Sequence, residues 1–557
     1  MAPSSSRLTG QITGHGGSHA VAAARQHGVD TMFTLSGGHV FPLYDAAVQP
    51  GADMRLLDVR HEQTAVFGAE AMGKLTRRAG LAVVTAGPGV TNAVSGVATA
   101  HFNGSPMLLI GGRAPDGRWG QGLLQELDQP PLLDTITKRA QTVHGTGEIS
   151  ASLDDAFALA NTAHRGPVFV DVPMDRLYDQ AEADLPGDGG TADPDRAADP
   201  DRVGEIAKLI SEAERPVLVY GSDVWLDNAE HTARETAEEL GIPVITNGQG
   251  RGVLPARHPL LATRARGVAL GQADLVVVVG APLDFRLGHG LFGGKDGAPL
   301  AKVAHVADSP GQIAEHLTLA GSASGDLSAI LRAIGDAARP GNRLPEWRDR
   351  LAAASAEASE ADSDALVSDA SPIHPARIYG ELNRVLDDDA VVIGDGGDFV
   401  SYAGKYVEPR QPGTWLDPGP FGCLGTGMGY SIAARLARPS AQVVTLMGDG
   451  AAGFSLMDVD TLVRHELPVV MVCGNNGIWG LEKAPMQMIY GYDVAAELAP
   501  QTRYDEVVRA LGGGGELVTD PAEIGPALRR AFNSGVPYLV NVATDPENVY
   551  PRKTMGV

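Results

Sequence analysis

Two turns in the last third of the chain carry side chains that suit a hard metal ion. Asp449 follows the Val- and Leu-rich run Gln442–Met447, and Asn476 follows a second such run, Leu467–Cys473. These runs predict buried strands, and the separation of the turns leaves room for one helix and the returning strand. Because ligands of open α/β sheets bind at the carboxyl ends of the strands, we expect Asp449 and Asn476 to lie together.

A carboxylate and an amide oxygen are ligands for Mg²⁺ or Ca²⁺, and Mg²⁺ usually works with the phosphates of a bound molecule. Gly450 and Ala451 are expected to open the next helix, whose free N–H groups favour phosphate. Taken singly, each turn is explained as an ordinary Asp-Gly or Asn-Gly turn. Two such turns at consecutive strand ends predict a metal and phosphate site.

The composition narrows the classes of function. The chain has 557 residues and a formal net charge of −24, which argues against non-specific binding to nucleic acid or to anionic membranes. Cys423 and Cys473 are its only cysteines, so neither a disulfide framework nor a Cys-rich metal site is expected. The start of the chain has no apolar signal core, and the apolar runs are too short to span a bilayer. We expect a cytoplasmic protein whose anionic ligands need a local basic pocket.

Two polar, acidic stretches, Ala181–Arg202 and Ala352–Pro372, are predicted to be linkers, the second of them partly helical. They leave three blocks and a basic tail, at residues 1–182, 203–351, 373–547 and 548–557. Each block alternates short strand-like runs with helical patterns. This alternation predicts an α/β fold of three domains, each built on a mostly parallel sheet with crossover helices.

The remaining predicted strands are Thr31–Leu35, Leu81–Thr85, Met107–Gly111, Val168–Val172, Pro216–Tyr220, Val244–Thr246, Leu275–Gly280, Val303–Val306, Val391–Ile393 and Tyr538–Val542. Glu62 lies between the first two of them, where a helical pattern begins. Judged locally, Glu62 is explained as a carboxylate that matches the positive end of a helix dipole.

Three further features have both a ligand-binding and a structural explanation. The glycine-rich run Gly422–Gly429 lets backbone approach a flat ligand closely, or forms a packing corner. Arg264 and Arg286 are candidate phosphate contacts or surface charges. Arg552 and Lys553 lie in a tail that is disordered or folds back to supply cations to a site.

Taken together, these motifs resemble the thiamine-diphosphate-dependent enzymes of the acetolactate synthase/oxalyl-CoA decarboxylase superfamily, over nearly the whole chain. The resemblance is carried by Arg60–Gln63, Ala86–Asn92, Gly422–Gly429, and Gly448–Gly450 followed by Asn475–Asn476. It implies a pyrimidine-binding domain, a central domain and a diphosphate-binding domain. It also implies that the cofactor lies between the first domain of one subunit and the third domain of another, in a homodimer or homotetramer.

The resemblance also assigns roles to particular residues. The Mg²⁺ ligands would be Asp449, Asn476 and the Ile478 carbonyl. Gly450 and Ala451 would contact the diphosphate together with Gly397, Asp398 and Phe399. Leu424 would be the apolar wedge that bends the cofactor, and the Gly422 carbonyl would help to hold its aminopyrimidine. Glu62 would bond the pyrimidine ring and favour the tautomer that lets the cofactor deprotonate itself. This role replaces the local explanation of Glu62.

Three segments are similar to those of oxalyl-CoA decarboxylases and 2-hydroxyacyl-CoA lyases, namely Gln125–Gln129, Asn475–Trp479 and Tyr550–Lys553. Trp479, Gln125 and Leu124 stand where the decarboxylase type carries Tyr, Glu and Tyr. The less polar pocket favours a lyase that splits a 2-hydroxyacyl-CoA into formyl-CoA and an aldehyde or ketone, or that runs the reverse condensation. The alternatives are an acetolactate-synthase-like carboligase that uses pyruvate, with or without FAD, an oxalyl-CoA decarboxylase, and a non-catalytic regulatory paralogue.

For the lyase, Gln125 is the predicted catalytic group beside Glu62. The 2-hydroxyl proton would pass to Gln125 through a water, to His39, or to a residue of the segment Trp479–Tyr492. His39, Leu127, Trp479 and Ile489 are predicted to shape the substrate pocket. Arg264, Arg286, Arg552 and Lys553 are predicted to bind the phosphates of the acyl-CoA substrate. The central domain, 203–351, is expected to bind the CoA nucleotide, with ADP or FAD left open, and the tail is expected to cover the site. Glu126 and Asp128 are expected to pair structurally.

Overall fold

The computed structural model describes residues 10–185, 196–297 and 299–551, and it confirms the predicted α/β fold. The described chain forms three parallel sheets of six, five and six strands, with one small antiparallel pair beside them. The central strands of these sheets are apolar and buried on both faces, as crossover helices on both sides require.

The first domain contains the strands β1 Gln11–His15, β2 Thr31–Thr34, β3 Arg55–Asp58, β4 Gly80–Val84, β5 Met107–Arg113, β6 Ala140–Thr142, β7 Pro167–Pro173 and β8 Gln180–Asp184. Its helices are α1 Gly16–Gln26, α2 Phe41–Val48, α3 Glu62–Thr76, α4 Pro88–Phe102, α5 Pro130–Leu133, α6 Ile149–Asn161 and α7 Met174–Tyr178. The strand order of the parallel sheet is β3-β2-β4-β5-β7-β6, and β1 pairs with β8.

The central domain contains β9 Pro216–Tyr220, β10 Val244–Thr246, β11 Leu275–Val279, β12 Lys302–Ala307 and β13 Gly321–Ser324, in the order β10-β9-β11-β12-β13. Its helices are α8 Pro200–Glu212, α9 Ser222–Leu226, α10 Glu230–Leu240, α11 Arg266–Gln272 and α12 Leu327–Ala337. The long helix α13, Leu344–Leu366, then leads to the third domain.

The third domain contains β14 Val391–Asp395, β15 Trp415–Leu416, β16 Val443–Gly448, β17 Val470–Asn475, β18 Gly514–Val518 and β19 Tyr538–Ala543, in the order β15-β14-β16-β17-β19-β18. Its helices are α14 Ala376–Leu382, α15 Gly397–Tyr406, α16 Thr426–Ala437, α17 Asp449–Ser455, α18 Val459–Arg464, α19 Gly480–Tyr490, α20 Tyr504–Ala510 and α21 Ile524–Phe532.

The linker predictions need correction. Ala181–Arg202 is not a linker at its start, because Ala181 to Asp184 belong to β8 and pair with β1. Residues 186–195 of that stretch lie outside the described part of the chain. Most of Ala352–Pro372 is helical, because α13 continues to Leu366, in keeping with its Ala- and Glu-rich sequence, and this confirms the predicted partly helical character of the stretch.

The first and third domains share a core. Phe67 of α3 packs edge-on against Tyr430 of α16, with 6.1 Å between the ring centroids, and the Tyr430 hydroxyl donates to Glu70 over 2.8 Å. The Lys74 ammonium lies 3.3 Å from the Glu70 carboxylate, so the buried charge is paired. Within the described residues, no helix combines the length and the apolar character that crossing a membrane requires.

Candidate active site

The two predicted metal-binding turns lie side by side. Strands β16 and β17 run parallel, with Gly448 opposite Gly474, so the residues that follow them leave the sheet at one edge. Asp449 bridges the two turns, because its Oδ2 accepts a hydrogen bond of 2.7 Å from the Gly477 amide. Its Oδ1 accepts from the Gly450 amide over 3.1 Å.

The oxygen atoms of this pair suit a cation. Asp449 and Asn476 are buried, and Asn476 Oδ1 also accepts from the Ile478 amide over 3.2 Å. The Asn476 Nδ2 has no hydrogen-bond partner among the described residues. Burial raises the pKa of Asp449 to about 6, and the negative charge of Asp398 acts in the same direction, against the bonds from Gly477 and Gly450. Such a carboxylate gains from a bound cation, so the donor set fits Mg²⁺.

A second loop at the same sheet edge has the shape of a phosphate cradle. Strand β14 is followed by Gly396 and Gly397, with φ of 63° and 65°, and α15 begins at Gly397. Burial raises the pKa of Asp398 to about 6, and its Oδ2 is buried without a hydrogen-bond partner among the described residues. The Phe399 ring lies against Gly474, where a Cβ would come within 1.6 Å of the ring. These contacts join the loop to β17, beside the metal turns.

Leu424 lies over this cradle. A Cβ built on Gly396 would lie 2.1 Å from Leu424 Cδ2 and 3.3 Å from the Ala451 Cβ. The turn that carries Leu424 is held by Asp395, whose two carboxylate oxygens accept from the amides of Gly425 and Gly427 over 3.0 and 2.9 Å. The predicted site residues did not include Asp395. Its position at the end of strand β14, directly before Gly396 and Gly397, was the available signal.

Glu62 is buried at the first position of α3, next to the cap residue His61. Its Oε2 accepts from Asn92 Nδ2 over 3.0 Å. The adjacent Gln63 Nε2 donates to the Leu424 carbonyl over 3.4 Å. The start of α3 therefore contacts the Leu424 turn of the same chain. The predicted sharing of the cofactor between two subunits stays a prediction.

The predicted substrate groups His39 and Gln125 are linked by Thr85, which was not predicted. Thr85 Oγ1 lies 3.2 Å from His39 Nδ1 and donates to Gln125 Oε1 over 3.4 Å. Burial lowers the pKa of His39, so its imidazole is neutral near pH 7. The backbone of Gly87 approaches Gln125 closely, since a Cβ there would lie 2.9 Å from the Gln125 Cβ. The three polar side chains therefore form one connected row.

Two other residues of the segment around Gln125, Gln129 and Asp128, make structural contacts. Gln129 is buried, accepts from the Gly87 amide over 2.7 Å and donates to Asp171 over 2.8 Å. Asp128 pairs with Arg113 over 3.1 Å, which confirms its expected structural pairing. Leu127 is half-buried in this segment.

The Trp479 segment forms an exposed wall beside the metal turns. The Trp479 ring lies against Gly450, where a Cβ would come within 2.5 Å of it, and meets Phe454 edge-on at 6.5 Å. Farther along α19, Ile489 and Met488 are 49% and 73% exposed. Their apolar side chains therefore remain available to a ligand or to another chain.

Of the cations predicted to bind the phosphates of CoA, the two arginines of the central domain are in ion pairs within the protein. Arg264 Nη1 donates to the Lys405 carbonyl over 3.0 Å, and its Nη2 pairs with Asp362 over 2.5 Å, so it joins the central domain to the third domain. Arg286 pairs with Asp284 over 2.7 Å. Arg552 and Lys553 lie outside the described residues. A phosphate-binding role of these cations stays a prediction.

The segment before the tail reaches the phosphate cradle. The Tyr550 ring packs edge-on against Tyr402 of α15, with 5.1 Å between the centroids. The Tyr550 amide also bonds to the Asp398 carboxylate and so opposes the rise in its pKa.

Comparison with known sequences identifies the family to which this chain belongs. Family models described as "Thiamine pyrophosphate enzyme" match this chain three times, as the N-terminal TPP binding domain over residues 15–132, the central domain over 203–334 and the C-terminal TPP binding domain over 395–542. The acetolactate synthase large subunit IlvG of Mycobacterium tuberculosis is 48% identical over 545 residues, which cover 97% of this chain and 98% of that protein. The chain belongs to the thiamine pyrophosphate enzyme family.

Further relatives of this chain are named for two different activities. A probable acetolactate synthase of Mycobacterium bovis is also 48% identical, over 97% of this chain and 98% of that protein. The 2-hydroxyacyl-CoA lyase 2 of Bos taurus is 34% identical, over 95% of this chain and 90% of that protein. The family uses thiamine diphosphate, the pyrophosphate of its name, together with Mg²⁺, which confirms the predicted cofactors.

Proposed function

We propose that this thiamine diphosphate enzyme is a carboligase of the acetolactate synthase type. In this reaction, one pyruvate loses CO₂ and its remaining acyl carbon joins the carbonyl carbon of a second 2-oxo acid. The observation that carries the proposal is the 48% identity to mycobacterial acetolactate synthases over 97% of this chain. The proposal departs from the lyase function that the sequence motifs favour.

The bound cofactor supplies a nucleophilic carbon and accepts the negative charge that the loss of CO₂ leaves behind. The protein orients the cofactor and its metal ion. Asp449, Asn476 and the Ile478 carbonyl would hold Mg²⁺, and the loops at Gly397 and Gly450 would hold the diphosphate. Glu62 would accept a hydrogen bond from the pyrimidine ring, because Asn92 occupies only one of its two carboxylate oxygens.

The substrate oxygens need polar side chains to bind them in place of bulk water. We assign this role to His39 and Gln125, with Thr85 fixing the orientation of both. A neutral His39 can pass a proton to or from a substrate oxygen at neutral pH, since burial lowers its pKa. Trp479, packed against Gly450, would cover the reacting atoms from the side of the metal turns.

A 2-hydroxyacyl-CoA lyase is the second candidate function. It is supported by the segments Gln125–Gln129, Asn475–Trp479 and Tyr550–Lys553, and by the 34% identity to the lyase of Bos taurus. The contact of Tyr550 with Tyr402 of α15 supports a tail that covers a CoA thioester beside the phosphate cradle. Oxalyl decarboxylation is less well supported, because Leu124, which stands in place of a tyrosine, is 78% exposed.

We also propose that the active enzyme is at least a homodimer. Near the Leu424 turn, the rings of Phe102 and Phe421 stack at 5.2 Å, and they remain 51% and 44% exposed in the single chain. Burying such a pair against a second copy is favourable. Sedimentation of the purified holoenzyme tests this proposal, and a monomer at the concentrations used for activity would contradict it.

One experiment separates the two candidate functions. The purified protein, loaded with thiamine diphosphate and Mg²⁺, is given pyruvate in one series and formyl-CoA with a panel of aldehydes and ketones in another. Release of CO₂ with formation of acetolactate is expected, with little 2-hydroxyacyl-CoA product by mass spectrometry. Efficient 2-hydroxyacyl-CoA formation without acetolactate would overturn the proposal in favour of the lyase.

Two further measurements sharpen the distinction. Removal of Tyr550–Val557 would raise KM for acyl-CoA thioesters in a lyase, but would leave KM for pyruvate nearly unchanged in a carboligase without a CoA substrate. Tightly bound flavin in the purified protein, seen by its absorbance, would support the carboligase.

A further inference from the structure

A large cleft lies where all three domains meet, away from the cofactor residues. It has a volume of about 1570 Å³ and is lined by Thr31, Arg55 and Gly80 of the first domain, by Trp225 of the central domain and by Arg438 of the third. Thr31, Arg55 and Gly80 are the first residues of β2, β3 and β4. The cleft therefore lies at the amino ends of these strands, whereas His39 and Thr85 follow their carboxyl ends.

The charge of this cleft is opposite to that of the whole chain. Four arginines line it, Arg55, Arg77, Arg78 and Arg438, against the three carboxylates Asp30, Asp53 and Glu230. Over the whole chain, acidic residues outnumber basic ones, 68 to 44. A positive cleft on a chain of net charge −24 concentrates anions that the rest of the surface repels.

Two of the arginines repel each other. Burial lowers the pKa of Arg438, and the positive charge of Arg77 lowers it further. The Arg438 guanidinium donates only to the carbonyls of Ala437 and Leu75, over 3.3 and 3.4 Å, and has no carboxylate partner among the described residues. Arg77 pairs with Glu230 over 2.6 Å and stacks on the Trp225 indole at 3.4 Å, which fixes its position.

The other two arginines, Arg55 and Arg78, are exposed. Within the described part of the chain, the side chains of Arg55 and Arg78 make no hydrogen bond or ion pair, and Arg78 Nη1 lies 3.0 Å from the Cβ position of Gly28. Donors of this kind suit a planar or tetrahedral oxyanion, because guanidinium groups bind carboxylate and phosphate with paired N–H donors.

We propose that this three-domain cleft binds a small oxyanion with two or more negative charges, either a phosphate or a polycarboxylate. The ligand bridges Arg77 and Arg438 with the free donors of Arg55 and Arg78. Arg77 caps the carboxyl end of α3, and Glu62 begins the same helix. A helix of 15 residues is about 22 Å long, so one rigid element joins the cleft to the cofactor site. Anion binding to the cleft does not depend on the proposed function.

Binding is measured on the holoenzyme with saturating thiamine diphosphate and Mg²⁺, so that the diphosphate site is already filled. Inorganic phosphate and citrate are titrated separately, by calorimetry and by the fluorescence of the tryptophans, of which Trp225 lies under Arg77. We expect saturable binding that weakens as the ionic strength rises. Tighter binding of phosphate would identify a phosphate site, and tighter binding of citrate a polycarboxylate site.

The double variant Arg55→Ala/Arg78→Ala removes the two exposed donors without touching the packed pair. We expect its affinity for whichever anion binds the wild type more tightly to fall at least about tenfold, because each charge-assisted hydrogen bond contributes about that factor in affinity. The control Arg343→Ala/Arg530→Ala removes the same charge from exposed side chains that do not line the cleft, and it should bind like the wild type. Absence of saturable binding in the wild type, or equal affinity in the Arg55→Ala/Arg78→Ala variant, would overturn the proposal.

Thermal unfolding provides a second measurement. A ligand that binds only the folded protein raises Tm in proportion to the logarithm of its concentration. The tighter anion should raise Tm of the wild type and of the control, but raise it much less for Arg55→Ala/Arg78→Ala. The same increase in all three proteins would show a general salt effect and would overturn the proposal.

Discussion

The Asp449 carboxylate accepts a 2.7 Å hydrogen bond from the Gly477 amide, and so ties the turn after β16 to the turn after β17. The bond fixes one carboxylate oxygen against the turn that carries Asn476. Asp449 and Asn476, which lie 27 positions apart in the chain, thereby come together as one donor set. The same bond makes Asp449 both a structural residue and the predicted metal ligand, and a substitution can separate the two roles.

We expect Asp449→Asn to weaken Mg²⁺-dependent cofactor binding by roughly a hundredfold, about 2.8 kcal/mol at 1.4 kcal/mol per decade. The asparagine oxygen can keep the bond from Gly477, but the variant loses the charge and the bond from Gly450. Because relief of the buried charge offsets the lost hydrogen bond, Tm of the cofactor-free protein should change by only a few degrees. Calorimetric titration and thermal unfolding measure both effects. Asp389→Asn, at an exposed position, is the control, and unchanged cofactor affinity in Asp449→Asn would contradict the assigned role.

Glu62→Gln should lower turnover by about 10²- to 10⁴-fold, because the carboxylate that activates the cofactor is lost. The amide oxygen can still accept from Asn92, so folding and cofactor affinity should change little. Proton exchange at the reactive carbon of the bound cofactor, followed by NMR, measures the activation directly. The matched control is Glu205→Gln on the exposed face of α8. Normal exchange in Glu62→Gln would remove Glu62 from the mechanism.

Thr85→Val removes the hydroxyl that links His39 and Gln125 while keeping the shape of the side chain. Each hydrogen bond contributes about 0.5–1.5 kcal/mol, so we expect kcat/KM to fall about tenfold, with Tm within a few degrees of the wild type. Thr91→Val, which removes a hydroxyl that bonds only to the Pro88 carbonyl, is the control. If the two variants have the same kinetics, Thr85 does not position the substrate groups.

Alanine substitutions at the neighbouring glycines Gly396 and Gly397 test the contact with Leu424. Both have positive φ, 63° and 65°, but a Cβ on Gly396 meets Leu424 at 2.1 Å, whereas a Cβ on Gly397 meets nothing within 4 Å. Backbone strain acts in both alanine variants, at about 1–3 kcal/mol each, and it adds to the Leu424 contact at Gly396, whose φ of 63° and ψ of 160° form a combination that only glycine adopts readily. Measured on the cofactor-free protein, Tm should fall further in Gly396→Ala than in Gly397→Ala. Equal decreases would mean that Leu424 is not seated on Gly396.

The pH dependence of stability should report an ion cluster between the first and central domains. Burial lowers the pKa of His164, but the carboxylates of Asp223 and Asp308 outweigh it and raise the pKa to about 9, against the opposing charge of Lys138. A histidine with a folded pKa above its usual 6.5 stabilises fully below pH 6.5, and this contribution is lost as the pH rises through about 9.

Tm should therefore decrease between pH 6.5 and about 9, and His164→Asn should be less stable at neutral pH and should lose this dependence. In that variant Asp223 and Asp308 lose the imidazolium that they share, although Arg165 still pairs with Asp227 nearby. His231→Asn, at a side chain that is 87% exposed, controls for the removal of an imidazole. The same pH dependence in His164→Asn and the wild type would rule out this origin.

The contrast between predicted and missed strands has one physical cause. The central strands of the sheets are buried on both faces, so apolar runs such as Leu275–Val279 mark them in the sequence. The parallel-sheet strands that were not predicted are β3, β6, β13, β15 and β18, and all of them lie at sheet edges. A segment such as Gly321–Ser324 has no apolar run of its own, and only its neighbour β12 makes it a strand.

The sequence by itself determined the fold class and the family resemblance, and it predicted the residues that would hold the cofactor and the metal. It could do so because those residues belong to short turns next to strands, where type and spacing are local properties. Tertiary structure alone decided that Thr85 joins His39 to Gln125, that Asp395 holds the Leu424 turn, and that Arg264 is bound to Asp362. These are contacts between distant segments. Hydrogen bonds and ion pairs of that kind depend on how whole domains pack, and no local pattern of residues encodes them.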